Sequence, residues 1–211
     1  MLSNPARLRQ PLFDAADGGA RDLGALPDWD LTDLYPAEDA PELARDMEWL
    51  KGECASFAAD YDGRLATLDA DGMLGCVLRY EKIDSVAGRL MSFAGLRYYQ
   101  NTTDGGRAKF LGDCQQAITD ATTGLVFFSL ELNRLEDAHI DALFAANADL
   151  ARYKPIFDRL RAMKPYQLSD ELEKFLHDQS VVGAAAWNRL FDETMAGLEF
   201  IVEGKTKGLE A

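Results

Sequence analysis

The chain has 211 residues, 47% of them hydrophobic, enough for one or two domains and a sizeable core. Its 36 Asp and Glu outnumber 22 Lys and Arg, a formal charge of -14. That balance speaks against nucleic acid, whose phosphates need clustered Lys and Arg, and against anionic membrane surfaces. No apolar run approaches the ~20 residues that span a bilayer.

Residues 1–28 are rich in Gly, Asp, Pro and Arg and lack periodicity, so a mobile N-terminal arm is expected there. Met1 to Ala20 hold Pro5, Arg7, Arg9, Pro11 and Asp14 and no apolar stretch of the secretory kind. Trp29, Leu31, Leu34 and Tyr35 then cluster tightly and should dock onto a core. Pro36 to Asp39 signals a helix start, with Pro41 in the first turn, where its missing N–H is harmless. Leu43, Met47, Leu50, Cys54, Phe57 and Tyr61 form one face of that helix, which ends at Gly63 and Arg64.

A second helix begins after Asp69 or Asp71. Its expected stripe is Met73, Val77, Tyr80, Ala87, Met91, Ala94 and Tyr98, interrupted by Asp84. Asp84 reads as a wet rim position or as a partner of Lys82, Arg79 or a neighbouring helix. Asn101 to Gly106 is a loop with Asp104 as N-cap of the next helix. The third helix has the clearest period, Phe110, Cys114, Ile118, Ala121, Leu125, Phe128, Leu132 and Leu135, a coiled-coil-like seam. Two long helices joined by a short loop should pack antiparallel.

His139, Ile140, Leu143 and Phe144 suggest a short helix. Asp149 opens another, faced by Leu150, Tyr153, Ile156, Phe157, Leu160 and Met163. Pro155 bends it or marks its true start, and Pro165 closes it. Ser169 is the expected N-cap of the next helix, with Asp170, Glu171 and Glu173 suited to the dipole. After Gly183 a helix with Ala184, Trp187, Leu190, Phe191 and Met195 follows, Trp187 being expected in the core. Leu198 to Val202 reads as a strand and Glu203-Gly204-Lys205 as a hairpin turn. The expected fold is all-α, with long antiparallel helices and helical hairpins and a truncated β-hairpin at the C-terminus. Residues 29–197 form the helical lobe, and 198–211 begin a further unit.

Few residues carry chemistry. Zinc hydrolysis needs two histidines one turn apart with a glutamate between, and His139 and His177 stand in no H-E-x-x-H. They read as polar residues near helix starts or surfaces. No G-x-S-x-G occurs, no cysteine lies beside a histidine, and Gly105-Gly106-Arg107 lacks a phosphate-loop pattern. Cys54, Cys76 and Cys114 read as buried, reduced thiols of a cytoplasmic protein. No catalytic and no metal-ligating residue is expected. Tyr98 and Tyr99, beside Arg97, suit a wet groove wall for peptides, and equally a helix end packed into a bundle.

Four segments in order carry a resemblance: Trp29-Asp30-Leu31-Thr32-Asp33-Leu34-Tyr35, Asn101-Thr102-Thr103-Asp104, Leu168-Ser169-Asp170-Glu171-Leu172-Glu173 and Ala186-Trp187-Asn188-Arg189-Leu190-Phe191-Asp192. Together they resemble the N-terminal region of the oligoendopeptidase F family of zinc metallopeptidases. Tyr166 stands where relatives often have His, and Thr103 where Ala is common. The resemblance implies a largely helical enzyme that cuts oligopeptides in a deep channel. Its zinc ligands and general base lie in a C-terminal domain with no matching positions here. The N-terminal helices then form part of the wall that limits access to that channel, with Tyr98 and Tyr99 as the channel-wall candidates. The chain is expected to be the non-catalytic front of such an enzyme, partnered by the missing catalytic domain, with zinc only in the full-length parent. The rival readings are a free-standing acidic helical module for interaction or peptide binding, and a catalytically dead paralogue that keeps the gating lobe.

Overall fold

A computed structural model describes residues 30–209, and the expected arm at 1–28 lies outside the described residues, as does Trp29. Leu31 and Leu34 pack against the core and Tyr35 is buried. Backbone N–H groups of Leu34 and Tyr35 donate to the Leu31 carbonyl, which closes this segment into a turn. α1 (Pro41–Tyr61) starts on Pro41, as the absent N–H of a proline permits. α2 (Ala70–Tyr99) is capped by Asp69, which accepts from the Gly72 N–H at 2.8 Å. α3 (Gly105–Thr122) is capped by Asp104, which accepts from Gly106 and Arg107.

Three arginines on α2 set its register against the acidic side of α1. Arg97 pairs with Glu38 just before α1, Arg89 with Asp46, and Arg79 with Glu53 and Asp60. As the α2 number falls the α1 number rises, so the two helices are antiparallel. The same logic sets α3 against α2. Arg107 donates to the Arg97 carbonyl and the Phe93 and Phe110 rings meet edge to face at 6.1 Å. Further on, Tyr80 stacks on Phe128 at 4.2 Å. Leu50, Phe57, Met73, Ile83, Leu90, Phe93 and Leu132 fill the interior between these helices. A smaller cluster of Ala94, Tyr98, Leu111 and Cys114 closes the α2–α3 end. Gly63 (φ +76°) turns the chain between α1 and α2, and its N–H and that of Leu65 donate to the Glu131 carboxylate.

The expected third helix breaks. Residues Thr123–Leu125 form one 3-10 turn, after which α4 (Val126–Arg134) continues. The hydroxyl of Thr122 donates to the Ile118 carbonyl at 2.9 Å and that of Thr123 to the Thr119 carbonyl at 2.8 Å. Two back-bonding threonines before a glycine loosen the helical ladder. The seam rotates at the break, so Leu111, Phe127 and Leu130 are buried while Phe110 and Ala121 are only half-buried. The α2 stripe is likewise wider than expected. Cys76, Ile83, Val86, Leu90 and Phe93 join it because α2 is covered on more than one side.

α5 (Asp137–Ala146) and α6 (Ala148–Ala151) follow. The α6 cap is Asn147, not Asp149 as expected, since its side chain accepts from the Leu150 N–H. α7 (Lys154–Arg161) carries Pro155 in its first turn, so that proline marks a helix start and not a bend. α8 (Asp170–Gln179) follows Ser169, whose side chain makes no capping bond. Glu173 instead accepts from the Leu168 N–H at 2.9 Å. α9 (Ala184–Ala196) follows Gly183, where any Cβ would meet the Gln179 carbonyl oxygen at 2.9 Å. The chain closes in an antiparallel hairpin, β1 (Phe200–Val202) with β2 (Lys205–Lys207), in the register Phe200 with Lys207. Glu203 and Gly204 both take positive φ, as a two-residue hairpin loop of type I′ requires.

α8 runs antiparallel to α3 and α4. His177 meets Thr122, Asp178 accepts from Thr123, and Arg134 pairs with Asp170. Neither α8 nor α9 holds a buried residue. Trp187 is therefore not in the core: it is 70% exposed, and Leu190 and Phe191 are exposed beside it. The helical period holds over α9, but no element of the described residues covers that face.

Candidate functional site

A cleft of about 430 Å³ opens between the middle of α2, the turn where α3 gives way to α4, and α8. Each element contributes for a local reason. Tyr80 and Asp84 are one turn apart on α2, and Glu173 and His177 are one turn apart on α8, so each pair shares a helix face. The break at residues 123–125 turns Thr122 and Ser129 toward the same space. His177 Nε2 lies 3.1 Å from Thr122 Oγ1, which anchors α8 across the break. Ile83, Ala87, Leu125, Val126 and Leu176 supply the apolar lining.

The cleft is electronegative. Asp84 and Glu173 line it, and neither Lys nor Arg does. Arg79, an expected partner of Asp84, is taken by Glu53 and Asp60 instead. Burial, and then the Asp84 carboxylate, hold the Tyr80 hydroxyl above its ordinary pKa. Such a site can receive a cation that carries an apolar stem. Sequence reasoning singles out Asp84 as an interruption, reads Glu173 as a helix-dipole residue and His177 as a surface polar residue, and does not bring the three together. The four-residue spacing of Glu173 and His177 on a helix was the available signal.

The two tyrosines part company. Tyr99 presents its ring to solvent, 64% exposed. Tyr98 is fully buried against Leu111 and Cys114, and its hydroxyl has no hydrogen-bond partner among the described residues. Burial and the nearby Asp192 and Glu193 carboxylates of α9 raise its pKa. The three cysteines are buried and free. Burial pushes Cys54 and Cys114 up to about 11 and Cys76 up to about 12, which leaves them without thiolate near neutrality.

The histidines do not form a metal site. His139 lies on α5 with Nε2 buried and unpartnered, and His177 lies on α8 against Thr122. Among the described residues no group of three or more His, Cys, Asp and Glu side chains is placed to hold a metal ion. The donor set present does not fit a catalytic zinc, which takes three protein ligands and keeps one position open. Among the described residues no helix is long and apolar enough to cross a membrane.

A second feature is the outer face of α8, α9 and the hairpin. Leu172, Phe175, Val182, Trp187, Phe191 and Ile201 are all exposed there, Ile201 by 81%. So many large apolar side chains exposed in one stretch exceed the scattered single residues usual on a solvated surface.

The family model described as Oligopeptidase F matches residues 131–200, from within α4 to the first residue of β1. Oligopeptidase PepF of Bacillus subtilis (strain 168) is 22% identical over 160 residues, 76% of this chain and 23% of that protein. The crystal structure of oligoendopeptidase-F from Enterococcus faecium superposes with a TM-score of 0.66 at 16% identity, over 80% of this chain and 34% of that one. The chain thus spans about a quarter of the length of the curated relative and about a third of the solved structure. Family model, curated relative and shared fold together support an oligoendopeptidase F N-terminal region in this chain.

Proposed function

We propose that this chain is the non-catalytic N-terminal helical part of a zinc-dependent oligoendopeptidase. It forms part of the wall that limits access to a channel in which short peptides are hydrolysed. One observation carries the reading. The segment matched by the family model includes all of α8 and α9, whose apolar face is uncovered among the described residues. A catalytic domain seated on Phe175, Trp187 and Phe191 would bury that face. Tyr99, exposed at the end of α2, suits a channel wall. Tyr98 would act from beneath, fixing the helix end that presents its neighbour.

Zinc and the general base belong to the catalytic domain in this proposal, so no step of hydrolysis is assigned to residues of this chain. The purified chain should bind no stoichiometric zinc and should leave a fluorogenic nonapeptide uncut. Elemental analysis and a cleavage assay with and without a chelator test this. One tightly held zinc per chain, with cleavage abolished on chelation, would overturn it. The second reading is a free-standing acidic module for interaction or peptide binding. It is favoured by one feature, that β1 and β2 pair with each other.

A further inference from the structure

We propose that the cleft between α2, the α3–α4 break and α8 binds the alkylammonium group of a lysine-bearing peptide, with Asp84 and Glu173 as its carboxylate acceptors. The choice of a peptide over a free amine rests on the oligopeptidase reading, and the charge preference rests on the cleft alone.

Asp84 is exposed and Glu173 half-buried, and several half-buried carboxylates elsewhere are spoken for. Asp46 is held by Arg89 and Tyr35, Glu53 by Arg79, Glu38 by Arg97, and Glu131 by two backbone N–H groups. Asp84 has no hydrogen bond or ion pair with any described residue. Glu173 spends one oxygen on the Leu168 N–H, which leaves the other available. Both border a cavity of about 430 Å³, within the range of roughly 300–1,000 Å³ usual for small-ligand sites. A carboxylate pair against low-dielectric walls, with no cation of its own, concentrates positive ligands.

The lining narrows the cation. A divalent ion is disfavoured because Asp84, Glu173 and His177 are not grouped closely enough to ligate one. An ammonium has three N–H donors and tolerates spread acceptors. Thr122 and Ser129 add hydroxyl oxygens, while Leu176 and Ile83 offer apolar surface to a methylene stem. A lysine side chain combines both chemistries.

The test is a titration of the isotopically labelled full chain, read by amide chemical shifts in NMR at low salt. The probe is an N-acetylated, C-amidated Gly-Gly-Lys-Gly-Gly peptide. Saturable shifts are expected at Ser129, Glu173 and His177. Acetylating the lysine amine should weaken binding by about tenfold, as loss of one favourable charge pairing implies. The double variant Asp84→Asn, Glu173→Gln should do the same. It is expected to fold, since Asp84 has no partner to lose and a glutamine oxygen still accepts from Leu168, and circular dichroism checks this. Equal binding of the acetylated peptide, undiminished binding by a folded double variant, or shifts confined to other elements would each overturn the proposal. n-Butylamine binding as tightly as the peptide would overturn the peptide assignment. These outcomes are separable from the oligopeptidase reading. A zinc-loaded, cleaving chain sinks that reading and leaves the ammonium site intact, while a silent titration does the reverse.

Discussion

Single residues in this protein act mainly by satisfying helix ends and burying protons. Arg161 on α7 is the clearest case, with a side chain only 13% exposed. Its guanidinium donates to the Leu132 carbonyl at 2.6 Å and the Leu135 carbonyl at 2.8 Å, the orphan acceptors at the end of α4, and pairs with Asp137. Arg161→Met should cost about 2–3 kcal/mol, since two partly buried carbonyls lose charged donors. Urea unfolding measures it. Methionine preserves much of the stem packing, so the loss reports the hydrogen bonds. The cysteines predict a pH effect. Their folded pKa values lie above the ordinary value of 9.0, at about 11, 12 and 11, so the folded chain holds those protons more tightly than the unfolded one. Stability is therefore full below pH 9 and falls as pH rises through that window, by at most about 1.4 kcal/mol per pH unit for each thiol. The urea midpoint should be lower near pH 10.5 than near pH 8, and Cys76→Ala should flatten that slope.

At the scale of elements, the break between α3 and α4 positions both core and cleft. A straight helix over residues 105–134 would keep one seam. The turn at Thr123–Leu125 instead points Leu125 inward and leaves Thr122 to meet His177. Leu125→Asp places an unpaired charge at a site only 4% exposed and should cost roughly 3–5 kcal/mol, enough to unfold much of the helical core. Leu78→Asp, on the outer side of α2 and 48% exposed, should stay within about 1 kcal/mol. Equal melting temperatures for the two variants would show that the core is misplaced. The period of three and four was legible in the sequence, and so was the Asp104 cap, while the start of α2 was narrowed only to Asp69 or Asp71. The break was not, because helix propensity at Thr-Thr-Gly is only mildly unfavourable, and packing decides whether the ladder gives way.

At the scale of the molecule, the described residues divide between a covered and an uncovered part. Residues of α1 to α5 close around a common interior, whereas α8 and α9 lean on α3 and α4 through polar pairs and keep their aromatic rings outward. Trp187→Ala should change the stability of this chain by only about 0.5 kcal/mol, against about 3–5 kcal/mol for a core tryptophan. Thermal melting distinguishes the two. A loss in the core range would mean that α9 packs inward after all.

Sequence alone determined that the protein is helical, where most helices begin, that no H-E-x-x-H stands in it, and which family its motifs resemble. These follow from local periodicity, capping chemistry and short motifs, which act over a few residues. Only the tertiary structure decided that Trp187 faces solvent, that Tyr98 is sealed while Tyr99 is open, and that Asp84, Glu173 and His177 share one cleft. An apolar stripe states that a helix has a face to cover. Whether the cover lies within the chain depends on contacts between residues far apart in it, which no local pattern records.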